Sequence, residues 1–165
     1  MSTAGVVQDS GNLFSMLDAQ HEDWIVTRAM EIMERRVFCG GQTLQSPTAV
    51  KDFLRIKLAG QPNEVFAVLF LDSQFRVIKY DELFKGTVNQ TSVYPRVVLC
   101  EAMKHNAAAV VFAHNHPSGL TEPSNNDKVM TSKLKTILAE VDVRVIDHVV
   151  VGQGEPYSFA EKGLL

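Results

Sequence analysis

The chain has 165 residues, 45% of them hydrophobic and 21% charged, the composition of an ordinary folded domain with enough apolar residues for a core. A net charge of −3 and a pI near 5.9 exclude a broad basic surface for nucleic acid or anionic membrane. No run approaches the ~18 apolar residues a membrane span needs, Met1 to Asn12 has no signal-peptide pattern, and Cys39 and Cys100 form no metal or redox motif, so a cytoplasmic protein with reduced thiols is expected.

Residues 1–11 are small and polar and are expected to be disordered. From Asp23 to Arg36, Trp24, Ile25, Ala29, Ile32 and Met33 recur at helical spacing, with Glu31, Glu34, Arg35 and Arg36 outside. Gly40-Gly41 ends that helix. Ser46-Pro47 is an N-cap with proline at the first helical position, opening a helix to about Ala59 with Val50, Phe53, Leu54, Ile56 and Leu58 apolar. Val65–Leu71 is a near-continuous apolar run, the mark of a buried strand. Asp72-Ser73-Gln74 turns the chain into a second, antiparallel strand from Arg76 to Phe84, and residues 86–90 form a loop. Ser92–Asn106 reads as a helix with Pro95 in its first turn and Val97, Val98, Ala102 and Met103 inward.

Ala107–Ala113 is a second buried strand, and it runs into His114-Asn115-His116. Histidines at i and i+2 on a strand share a face, about 6.5 Å apart along the chain, and both imidazoles can reach one metal ion. Asn115 between them faces the other way. Pro117-Ser118-Gly119 is a turn. Ser124 then stands as an N-cap, with Asp127 three residues later in a capping-box position, before Val129, Met130, Leu134, Ile137, Leu138 and Val141 at helical spacing. Singly, such signals mark only a helix start and strand histidines. Together, two histidines and a carboxylate in a first helical turn leave one open position on a tetrahedral ion, the pattern of a catalytic zinc site. A strand from Val143 to Val151, a turn at Gly152-Gln153-Gly154 and a short strand at Tyr157–Phe159 complete the chain. Strands flanked by helices, with hairpins and one crossover, give a mixed α/β layered fold.

The pattern H-x-H, seven residues, then S-x-x-D, with an upstream glutamate, resembles the JAMM motif of the JAB/MPN+ metallopeptidases. The wider stretches His114–Gly119, Asp147–Gly152 and Ser158–Gly163 resemble the RadC-like (UPF0758) branch, over about residues 45–165. A contiguous His-Asn-His is not the signature of the HNH nucleases, whose residues lie far apart. The resemblance implies the JAB/MPN fold, related in architecture to cytidine deaminases, with an N-terminal extension over 1–44 and a catalytic domain over 45–165. It also implies a zinc-dependent peptidase or isopeptidase with one zinc per chain. His114, His116 and Asp127 would be ligands, Glu64 the general base and Ser124 the oxyanion donor.

Two rival readings stand beside that one: a metal-containing interaction module without catalysis, and an accessory protein in DNA metabolism. The expected partner is a protein or peptide substrate. Direct nucleic-acid binding has no support in the sequence: the helix-hairpin-helix region of full-length RadC-like proteins is not evident here. The oligomeric state is open. His148, beside Asp147, reads either as a hydrogen-bonded strand histidine or as a contact to a ligand or substrate. His21 and His105 read as surface residues. Arg96 and Glu101, at i and i+5, are not spaced to pair.

Overall fold

The computed structural model describes residues 19–38, 47–87 and 91–165. In chain order the elements are α1 (Ala19–Phe38), α2 (Pro47–Leu58), β1 (Val65–Leu71), β2 (Val77–Lys85), α3 (Pro95–Lys104), β3 (Ala109–Asn115), α4 (Asn125–Ala139), β4 (Arg144–Val151) and β5 (Tyr157–Ser158). The expectations for residues 1–11, Cys39, Gly40-Gly41, Ser46, the boundary at 44/45 and the loop at 88–90 lie outside the described residues. The expected mixed α/β architecture is present.

The strands form one five-stranded sheet in the order β2-β1-β3-β4-β5. Only β3 and β4 are parallel; every other neighbouring pair is antiparallel. The parallel pair needs a crossover, and α4 supplies it. Central position explains the composition of β1 and β3. Both faces of each strand are covered, so alternation gives way to a continuous apolar run. One face, with Leu69, Leu71, Val111 and Val149, packs on Phe53, Leu54 and Leu58 of α2. The other face, with Phe66, Phe70, Val110 and Phe112, packs on Val98 and Ala102 of α3 and Leu134 and Leu138 of α4. α1 lies against α2, joined by the Phe38–Phe53 ring contact and a Lys57–Glu34 ion pair.

Several local readings change. The helix expected from Ser92 starts at Pro95, because the residue before a proline is pushed out of the helical region; Tyr94 sits at φ −99°, ψ 109°. In that helix only Val98 and Ala102 are buried, while Val97 and Met103 are exposed. Ten residues crossing one sheet face bury a narrow stripe, and the apolar spacing overstated its width. Ile56 of α2 and Trp24, Ile25 and Val26 of α1 are likewise exposed. His105 is not a plain surface residue. Its ring lies 4.9 Å from that of Phe70, and its Nε2 lies 3.3 Å from Asp81 and 3.5 Å from Glu101. Lys79 and Lys104 pair with those same carboxylates, which makes this cluster an ion-pair network between β2 and α3.

Candidate metal centre

The site is assembled by register. β1 and β3 pair antiparallel with Phe66 opposite His114. Continuing that register by two residues brings Glu64 opposite His116, on the same face, because side chains alternate. β3 ends at Asn115, so His114 is held by the sheet and His116 stands just past its rim. The backbone N–H of His116 still donates to the Val151 carbonyl at 2.8 Å, which aligns the loop with β4. Asn115 faces the opposite side, as expected, and is buried. Its Oδ1 accepts from the Val65 N–H at 2.8 Å, and its Nδ2 donates to the Asn63 carbonyl at 3.1 Å, tying the end of β3 to the segment that carries Glu64.

Asp127 arrives from the N-terminus of α4. The capping box is complete. Ser124 Oγ accepts from the Asp127 N–H, and the Asp127 carboxylate accepts from the Ser124 N–H at 2.7 Å. The same carboxylate accepts from the Ser124 hydroxyl at 2.6 Å. The capping-box partner of Ser124 and the candidate ligand are therefore one residue, Asp127, placed at the end of the helix that favours negative charge.

The three candidate ligands converge. His114 Nε2 and His116 Nε2 are 2.9 Å apart, and each lies 3.5 Å from an Asp127 carboxylate oxygen. Ligand atoms on a tetrahedral zinc with bonds of about 2.05 Å lie roughly 3.3 Å from one another, so this donor set fits the ion in both type and spacing. His116 shows a second sign of fit. Its Nδ1 faces the Leu120 carbonyl at 2.8 Å, an acceptor only, so Nδ1 carries the hydrogen and the Nε2 lone pair is turned inward. Two imidazole nitrogens facing each other at that distance need a hydrogen or a metal ion between them.

Electrostatics agree with that need. The Asp127 hydrogen bond raises the His116 pKa, against the opposing effect of burial, and the Leu120 carbonyl and the charges of Asp127 and Glu64 add to the rise. Burial pushes the Asp127 carboxyl up, but hydrogen bonds with His114, His116 and Ser124 outweigh it and hold the group well below the usual carboxylate range. Glu64 and Ser124 line the same open cleft of about 600 Å³ as His116 and Asp127. The structure thus brings together all five residues singled out in the sequence.

The family of RadC-like JAB domains matches residues 44–164. The chain belongs to that family. JAB domains are often hydrolytic. A UPF0758 protein of Vibrio cholerae is 53% identical over 145 residues, 88% of this chain and 90% of that protein. Another, from Methylibium petroleiphilum, is 60% identical over 120 residues, 73% of this chain and 54% of that one. A third, from Cellvibrio japonicus, is 45% identical and covers 97% of this chain and 78% of its own length. The chain spans about half the length of several curated relatives that it matches, the Methylibium protein among them. Among the described residues, no helix of this RadC-like chain is long and apolar enough to cross a membrane.

The sequence reading missed parts of this RadC-like site. Val129, counted in the apolar spacing of the motif helix, is 69% exposed and lines the cleft, because the buried stripe of α4 runs through Asp127, Thr131, Leu134 and Leu138 instead. The Leu120 carbonyl had no side-chain signal. Thr131 did: it lies one turn after Asp127, on the same helix face. Its hydroxyl meets the Asp127 carbonyl and the ring of His148, which is fully buried behind His114.

Proposed function

We propose that this chain is a JAMM-type metal-dependent hydrolase, in which zinc held by His114, His116 and Asp127 serves cleavage of an amide or isopeptide bond in a protein or peptide. The observation that carries the reading is the convergence of two Nε2 atoms and one carboxylate in a cleft that Glu64 and Ser124 also line. When bound, zinc would lower the pKa of a water to about 7 and polarise the scissile carbonyl. Glu64 takes the proton from the attacking water and hands it to the leaving amine. Ser124 is an oxyanion donor and not a nucleophile. Its hydroxyl donates to Asp127 at rest and turns to the carbonyl oxygen as charge develops there, at the favourable end of α4. Val93, Pro95, Leu120, Val129 and Met130 form apolar walls for the side chains of an extended peptide. A cytoplasmic setting fits two cysteines without a pairing motif.

The test begins with metal content. Protein purified without added metal should carry about one zinc per chain, and His116→Ala should lose it. In a peptide-library assay Glu64→Gln should keep the zinc and lose about 10²- to 10⁴-fold in rate. No zinc in the unmodified protein, and none taken up on addition, would sink the hydrolase reading.

A further inference from the structure

His148 is a buried polar group that the proposed reaction leaves without a task. It is packed among Phe66, Phe112 and Phe159, the last stacked on its ring at 4.7 Å. Its Nε2 lies 2.8 Å from His114 Nδ1, on the far side of that ring from Asp127, so it cannot share an ion with His114 Nε2. Its Nδ1 lies 2.6 Å from Thr131 Oγ1, and Thr131 Oγ1 lies 2.6 Å from the Asp127 carbonyl oxygen.

Counting hydrogens along this chain of contacts leaves one arrangement. The Asp127 carbonyl only accepts, so the Thr131 hydroxyl donates its single proton there. That hydroxyl must then accept, so His148 Nδ1 carries an N–H. A buried imidazole whose ring nitrogens meet only neutral partners stays neutral, which leaves its Nε2 bare. His114 Nδ1 is therefore the donor to it, and the His114 lone pair sits on Nε2, facing His116 and Asp127.

We propose that Thr131 and His148 are positioning residues that lock His114 in the Nδ1–H tautomer, so that its Nε2 is free for a metal. The proposal rests on the metal reading above. His116 takes the same tautomer from a backbone carbonyl, but His114 takes it through two side chains that end on the main chain of Asp127. One candidate ligand thereby orients another.

The C-terminal segment holds this relay in place. The Asp147 Oδ1 accepts from the His148 N–H at 2.7 Å and the Ala160 N–H at 2.9 Å. Its Oδ2 accepts from the Ser158 hydroxyl at 2.6 Å, and Ser158 Oγ accepts in turn from the Glu161 N–H at 3.1 Å. The Phe159 N–H donates to the His148 carbonyl at 3.0 Å. These bonds fix the backbone at His148 and lay the Phe159 ring over its imidazole. They also give a role to the Asp147-His148 and Ser158-Phe159 stretches.

Two measurements test the relay. Nitrogen-15 spectra of histidine side chains in the metal-stripped, unmodified protein report the tautomer of each ring. His114 and His148 should both be Nδ1–H; an Nε2–H tautomer at His114 would overturn the proposal. Zinc affinity by chelator competition is the second readout. Thr131→Val keeps the shape and removes the hydroxyl, and should bind zinc 10- to 100-fold more weakly. Thr131→Ser should restore the original affinity. Equal affinity in Thr131→Val and the unmodified protein refutes the relay. If Thr131→Val does not fold, the tautomer spectrum and Thr131→Ser still decide. Failure of the unmodified protein to bind zinc would sink the metal reading, and the tautomer of His114 would remain a separate result.

Discussion

His116 and His148 respond to pH in opposite senses, although both belong to one cluster. The folded pKa of His116 is raised, chiefly by Asp127, so its contribution to stability is complete below about 6.5 and is lost as pH rises through the folded value. Burial depresses the pKa of His148, so the unfolded chain takes up that proton first, and stability falls as pH drops below about 6.5. Asp127 stays ionised throughout this range. In the presence of a chelator, the melting temperature should therefore rise from pH 8 to about 6.5 and fall again below it. Asp127→Asn should flatten the upper limb and leave the lower one. An upper limb unchanged by that substitution would show that His116 does not draw its stabilisation from Asp127. Zinc competes with the same proton, so affinity should decline as pH falls toward and below 6.5, where the raised pKa keeps His116 protonated.

At the scale of elements, the site depends on two loops that touch. The turn after His116 and the turn after β4 meet backbone to backbone, with the Gln153 N–H donating to the Gly119 carbonyl at 2.8 Å. A Cβ on Gly152 would lie 2.5 Å from the Gly119 oxygen and 2.9 Å from its carbonyl carbon, closer than packed atoms come. Main chain cannot move aside as a flexible side chain does. Gly152→Ala should therefore displace the His116–Leu120 turn that holds the His116 ring. The expected result is about 1–3 kcal/mol of lost stability on chemical denaturation, together with weakened zinc binding. Unchanged zinc affinity would show that the Leu120 carbonyl does not set the His116 ring. Gly119 itself sits at φ +86°, a conformation that side chains rarely adopt, which accounts for glycine at that turn.

For the molecule as a whole, the two faces of the sheet carry different duties. The α3–α4 face bears His114, His148 and the cleft. The α1–α2 face is mainly core, with Asn115 at its rim bracing the segment that carries Glu64. Leu69 on that second face is fully buried in β1. Leu69→Ala should cost about 2–5 kcal/mol of stability, read from chemical denaturation, while one zinc per folded chain is retained. Loss of zinc from a chain that remains folded would mean that the two faces are coupled through the sheet. The open rim of the cleft follows from the same layering. The end of the parallel pair β3–β4 and the N-terminus of the crossover helix meet at one edge, where parallel strands place their sites.

The apolar runs of Val65–Leu71 and residues 107–113, the helix starts at Pro47 and Ser124, and the H-x-H and S-x-x-D spacings were legible in the sequence, because each is a local regularity of period, cap or turn. They were enough for the layered α/β fold and for His114, His116, Ser124 and Asp127 as candidate site residues, whereas Glu64 entered through the resemblance to the JAMM motif. Tertiary structure alone decided what depends on register and crossing. Glu64 faces His116 because β1 pairs antiparallel with β3. His148 lies behind His114 because β4 runs parallel to β3. Val129 turns to the cleft and Met103 to solvent because the sheet covers only part of each helix. Partners such as Thr131 and His148 stand 17 residues apart in the chain and meet only when a helix crosses the sheet. A period or a cap constrains neighbours along one element, whereas the tautomer of a ligand is set by whatever the fold places behind it.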